Sequence, residues 1–177
     1  MKAAASAIAA LLLATAAGTL AQQQPAPAPV PCQAPEYRQL DFWIGHWQAF
    51  QHASGAADGE SHISPVYGGC VIREEWHDVS GMTGGSFSRY DRRTSKWRQT
   101  WVDSTGGQHD YVGSWTGGRL EFVRPLPAPG DPTRTILHRM SISPQPDGTV
   151  RQYYDDSSDD GKSWVEVYDL IYHRVKD

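Results

Sequence analysis

The sequence predicts an all-β protein, an antiparallel up-and-down barrel of about ten strands entered through a short helical turn. Three observations carry this. No long stretch shows a 3.6-residue period; apolar residues alternate at period two, in short runs separated by Gly, Asp-Gly and Pro turn signals. The runs follow one another in order without a helical crossover, so neighbours are antiparallel. The last run is long and apolar at alternate sites, as expected of a strand that pairs back with the first and removes both sheet edges. A two-sheet sandwich is the rival arrangement of the same strands.

The elements follow in chain order. Residues 1–21 read as a cleavable secretory signal: Lys2 is the positive n-region, 3–17 is an apolar run centred on Leu11, Leu12 and Leu13, and Thr19-Leu20-Ala21 is a small-x-small cleavage site. A membrane anchor is the other reading, but the run is short, alanine-rich and weakly flanked by charge. The expected location is periplasmic or secreted. Lipid anchoring would need a cysteine directly after the run, and Cys32 lies well beyond it. Residues 22–35, QQQPAPAPVPCQAP, form a Pro/Ala/Gln-rich tether with nothing to bury. The barrel domain takes 36–177. Its entry, PEYRQLDFW, spaces Tyr37, Leu40 and Trp43 three apart, which predicts a helical turn with one apolar face plugging a barrel end. The expected strands are 45–52, 60–67, 69–79, 84–91, 96–103, 107–115, 117–124, 133–142, 148–156 and 163–175. Between them lie breaks such as Gly68-Gly69, Gly106-Gly107, Gly117-Gly118 and the proline-rich 125–132, each able to supply the φ that a hairpin needs.

Charge and cysteines narrow the function. The chain carries a net −4, and loss of Lys2 with the signal makes the remainder −5. That excludes a general nucleic-acid binder, which would show a basic face. No later stretch is long and apolar enough to span a bilayer as a helix. Two cysteines in an oxidising compartment point to a Cys32–Cys70 disulfide stapling the tether to the barrel. Free thiols, with Cys70 buried as a small apolar residue, are the alternative.

Side-chain parity names the inner wall. Cys70, Ile72, Glu74 and Trp76 share a face, as do Trp97, Gln99, Trp101 and Asp103. So do His109, Tyr111, Gly113 and Trp115, and Val150, Gln152, Tyr154 and Asp156. In the last strand Trp164, Tyr168, Leu170 and Tyr172 fall with Glu166 and Arg174. A solid core would be Leu, Ile and Val without interior acids, because an unpaired buried carboxylate is costly. Inward Glu74, Gln99, Gln152 and Glu166 therefore imply a hydrogen-bonded network or a wet cavity, and a barrel of this size can hold a small ligand.

Gly45-His46-Trp47 with Arg174 near the end of the last strand resembles the Gly-x-Trp and Arg signature of calycins, the lipocalin superfamily. DFWIGHW, YGGCVIREEW, SRYDRRTSKWRQTWVDSTGG, PDGTVRQYYDDSSDDGKSW and YDLIYHR together are similar to a group of bacterial lipocalin-like proteins known chiefly as a domain of unknown function. The resemblance covers 36–175. It implies a calycin barrel with Trp47 closing the floor under Arg174, Gly45 as the bend into the first strand, and a small-molecule pocket. It implies no reaction. This chain departs from the group at His46, where an acid is common, and in the length of its tether.

Several chemistries are weighed against simpler roles. From Asp156 the chain mimics the start of an EF-hand loop, but its twelfth place is Val167, where a bidentate glutamate is needed. The same residues fit a Ser-x-Asp-x-Gly-x-x-Trp hairpin, with Asp159 accepting turn amides, Gly161 at positive φ and Trp164 pinning the turn to the core. The seven histidines show no metal spacing. A haem-binding relative of nitrobindin type uses a histidine on a late strand, which leaves His173 as a candidate, although its parity is outward if Arg174 is inward. Ser86 follows Gly84-Gly85 but lacks the strand-to-helix elbow of a serine nucleophile. Glu74 with Glu166 is a formal carboxylate pair, set against a polar network with Arg139 or Arg174.

The expected function is the binding of a small organic ligand by Glu74, Trp76, Gln99, Trp101, Tyr111, Gln152, Tyr154 and Tyr168. The aromatics give area, and the Glu and Gln side chains give orientation. Gly45, Trp47, Arg174, Asp159, Gly161 and Trp164 are structural. No metal or cofactor is expected, with haem the exception held open. Catalytic residues and oligomeric state are undetermined. The alternatives are an enzyme using interior glutamates and an envelope interaction module.

Overall fold

The structure is a computed structural model describing residues 31–176. The expected signal and most of the expected tether lie outside the described residues. Ten antiparallel strands form a closed barrel in which each pairs with its sequence neighbour and β1 pairs with β10. They are β1 Gly45–Gln51, β2 Ala57–Val66, β3 Val71–Asp78, β4 Thr83–Asp91, β5 Lys96–Asp103, β6 Gln108–Thr116, β7 Arg119–Ala128, β8 Asp131–Pro144, β9 Val150–Ser157 and β10 Val165–Arg174. No helix among the described residues is long and apolar enough to cross a membrane.

One end is filled. Two 3₁₀ turns, Pro35–Arg38 and Asp41–Trp43, precede β1. The three-residue period of Tyr37, Leu40 and Trp43 matches the three residues per turn of a 3₁₀ helix, and all three side chains are buried. Trp47, fully buried, donates its indole N–H to the Trp43 carbonyl at 2.7 Å. Arg174, the register partner of Trp47, lays its guanidinium 4.2 Å from the Trp47 ring centroid and donates to the Ile44 carbonyl at 3.0 Å. Gly45 stands beneath that guanidinium at φ 148°, and any Cβ there would overlap the Arg174 Nη1. Glycine is needed at this position both for its backbone conformation and for the space.

The core of this end is Leu40, Trp43, Trp47, Ile63, Ile72, Trp97, Leu120, Ile142 and Val150. It is covalently tied to the entry segment by a Cys32–Cys70 disulfide. Arg38 adds bonds to the carbonyls of Gly69, at 2.6 Å, and Cys32, at 3.4 Å. The expected staple between tether and barrel, Cys32–Cys70, is present, and the first 3₁₀ turn begins at Pro35, the last residue given to the tether.

The break expected over 125–132 is also corrected. β7 runs through Pro125 and Pro127 to Ala128, paired with Leu137 and Thr135 of β8. The ladder between β6 and β7 stops at Val112–Val123. Beyond it β7 has a free edge, where prolines without an N–H are tolerated. The ladder between β8 and β9 reaches only Leu137. The β7–β8 hairpin therefore continues past the barrel as a two-stranded ribbon.

Candidate functional site

The plugged floor leaves the other half of the barrel open inside. A cavity of about 500 Å³ lies there, and every residue expected to bind ligand lines it: Glu74, Trp76, Gln99, Trp101, Tyr111, Gln152, Tyr154 and Tyr168.

Polar groups sit at its inner end, each held by neighbours. Glu74, only 4% exposed, accepts a hydrogen bond from the Ser61 hydroxyl on Oε1 at 3.2 Å and from the Ser86 hydroxyl on Oε2 at 2.8 Å. Burial pushes its carboxyl up to about 7, and the two serine bonds offset part of that rise. Gln99 donates to the Ser88 hydroxyl at 3.0 Å. Gln152 donates to the Met140 sulfur at 3.0 Å and accepts from the Tyr172 hydroxyl at 2.5 Å. The partners expected for Glu74, Arg139 or Arg174, are elsewhere: Arg174 lies on Trp47, and Arg139 forks onto Asp155 at 2.9 and 2.6 Å. The bond from Ser86 to Glu74 also gives that serine a structural role.

Aromatic side chains form the walls above. Trp76 lies over Gly59, where a Cβ would come within 2.5 Å of its Cζ2, and Trp101 lies over Gly84 in the same way. Around the wall the order is Gly59 on β2, Trp76 on β3, Gly84 on β4 and Trp101 on β5. Each glycine makes the space into which the next strand's indole folds back. Trp101 is pinned further by its N–H to Asp103 at 3.0 Å. Across the cavity Tyr154 and Tyr168 stack with centroids 5.0 Å apart and planes 18° apart. Burial raises the phenol pKa of both, so they remain neutral donors.

The mouth is acidic. Asp58, Asp78 and Asp103 line it beside Gln51 and His109. Asp78 accepts the Ser80 hydroxyl and the amides of Ser80 and Met82, which lower its pKa. The Thr105 hydroxyl and the Trp101 N–H hold Asp103 at about 2. His109 is pushed down by burial and then by the Arg124 charge. Among the described residues the cavity lining contains no lysine or arginine.

The last strand overturns part of the expected inner face. β10 carries a bulge between Glu166 and Tyr168, so Val167 and Tyr168 both reach the cavity. The extra residue reverses the parity before it. Glu166 pairs with Asp155, the outward neighbour of Tyr154, and is exposed on the outer wall. Trp164 is outside as well, 3.7 Å beneath the Arg139 guanidinium rather than in the core. The Glu74–Glu166 carboxylate pair therefore does not exist.

The 157–164 hairpin otherwise matches its motif. Asp159 accepts from the Ser163 hydroxyl and from the amides of Ser163 and Lys162, which lower its pKa, and Gly161 stands at φ 81°. Among the described residues no cluster of three His, Cys, Asp or Glu side chains could hold a metal. His173 packs edge-on against Phe50 on the outer wall, with centroids 5.5 Å apart, and offers no axial ligand to a haem in the barrel.

Sequence reasoning missed Met140, Val167, Asp58 and the mouth role of Asp78. Met140 follows from extending the parity of β8, while Val167 is visible only through the bulge. Compared with known proteins, the chain matches no family model and no curated sequence.

Proposed function

We propose that the protein is a lipocalin-like binder of a small organic molecule, working in the periplasm or outside the cell. The observation that carries the reading is the cavity of about 500 Å³, open at its mouth, aromatic on its walls and polar at its inner end. That volume lies within the usual range for ligand sites, and apolar walls with a few fixed polar groups are their usual make-up. Gln99 and Gln152 are already anchored, so they meet a ligand preorganised. The packing of Gly45, Trp47 and Arg174 supports the calycin resemblance, and the disulfide supports an oxidising compartment. Native mass spectrometry of protein isolated from the periplasm of its own cell tests the reading. A retained mass, lost on denaturation and diminished in Trp101→Ala, is expected. Protein that carries no small molecule, and whose melting temperature none raises, returns the function to an interaction module.

A second reading has one observation in its favour. A carboxyl at about 7 is poised to exchange protons near neutral pH, as a general acid or base must. Glu74 would be that group. Binding is preferred because, among the described residues, no second glutamate lines the cavity to act as its partner. Turnover abolished in Glu74→Gln, with binding intact, would favour the enzyme.

A further inference from the structure

The ligand-binding reading leaves the chemistry of the ligand open, and the charges around the cavity narrow it. Among the described residues the lining carries the carboxyl groups of Asp58, Glu74, Asp78 and Asp103, and neither lysine nor arginine. The guanidinium of Arg124 lies 5.8 Å from the Tyr111 ring centroid and is not part of the lining. An anionic ligand would descend past three acids at the mouth to meet a fourth, with no cation to receive it. The field of such a cleft draws in the opposite charge.

We infer that the cavity takes a protonated organic amine, its ammonium against Glu74 and its body among Trp76, Trp101, Tyr154 and Tyr168. This rests on the ligand-binding reading and names the ligand class. A carboxylate has about four acceptor sites, and the two serine hydroxyls occupy one on each oxygen. The remainder are free for N–H donors from the cavity. A bond from an ammonium to a carboxylate out of water is of the stronger, charge-assisted kind. Indole and phenol rings add attraction for a cation beyond the area they bury. Gln99 spends an amide N–H on Ser88, and its amide oxygen, without a donor among the described residues, adds a further acceptor. Buried without a cation, Glu74 holds its proton up to about neutrality; an ammonium beside it stabilises the ionised form and removes that cost.

Three probes with one aromatic body isolate the charge: 2-phenylethylamine as cation, 2-phenylethanol as neutral and 3-phenylpropionate as anion. Each is titrated calorimetrically at pH 8 into the mature protein and into Glu74→Gln, a nearly isosteric change that keeps polar contact with both serines. The amine is expected to bind at least about tenfold more tightly than the alcohol and the anion most weakly. Glu74→Gln should cost the amine about tenfold or more and leave the alcohol nearly unchanged. If the alcohol or the anion binds as tightly as the amine, or Glu74→Gln leaves amine affinity unaltered, the cation inference falls while the binder stands. If none of the three binds at millimolar concentration, both readings fall.

Discussion

Replacing Glu74 by glutamine should stabilise the protein above neutrality and do almost nothing near pH 4.5. The reasoning follows from where the proton sits. An exposed glutamate in the unfolded chain ionises near 4.5, whereas burial holds the folded carboxyl to about 7. Below 4.5 both states are protonated and Glu74 adds no pH dependence. Between these values the folded state keeps a proton that the unfolded state has released, so stability falls as pH rises. The slope is about 1.4 kcal/mol per pH unit, and the total is about 3 kcal/mol. Above the folded value the loss is complete and the curve is flat. Glutamine has no proton to lose, and its amide can donate to one serine while its oxygen accepts from the other. Urea unfolding followed by tryptophan fluorescence at pH 5, 6, 7 and 8 measures this. The gap between Glu74→Gln and the parent should open from under about 1 kcal/mol at pH 5 to about 3 kcal/mol at pH 8, in the variant's favour. Groups common to both proteins cancel in the difference. Asp103, held near 2, does not enter it. A gap that is constant with pH, or one that opens in the parent's favour, would refute burial as the dominant influence on Glu74.

Three further outcomes are expected. Trp47→Ala empties the floor beneath Arg174 and should cost about 3–5 kcal/mol by chemical denaturation, with ligand preference in the surviving fold unchanged. Gly84→Ala sets a methyl against the Trp101 ring; it should cost about 1–3 kcal/mol and weaken any aromatic ligand, read by calorimetry. Replacing Cys32 and Cys70 with serine removes a cross-link across a sequence separation of 38 and should lower stability by about 4 kcal/mol in the chain-entropy picture, measured as a lower urea midpoint.

How far the sequence reached depended on the regularity of each strand. β3, β5 and β9 carry no bulge around their inward side chains, so strict alternation placed Glu74, Trp76, Gln99, Trp101, Gln152 and Tyr154 on the cavity. In β10 one inserted residue was enough to turn Glu166 and Trp164 outward, because the side-chain period is two and any odd shift exchanges the faces. Prolines 125 and 127 read as a loop because sequence shows the missing donors but not that the β6–β7 ladder stops at Val112–Val123, before it reaches them. The pairing of glycine with tryptophan across strands was invisible for a related reason. Gly59 and Gly84 looked like ordinary turn or strand glycines until the registers brought indoles over them. The floor was the most legible part, since Gly45, Trp47 and Arg174 are recognisable by type and position alone.

The Cys32–Cys70 bond has a mechanical consequence. A load applied to the chain ahead of Cys32 enters the barrel at Cys70, at the threshold of β3, through a covalent link. The segment 33–69 is short-circuited: its 3₁₀ turns, β1 and β2 lie outside the line of tension. Trp43 and Trp47 therefore stay seated while the chain ahead of Cys32 is tugged, and the closing β1–β10 seam is not unzipped from the β1 end. Under reducing conditions the same pull would instead peel the plug first, and the cavity would lose its floor before it lost its walls.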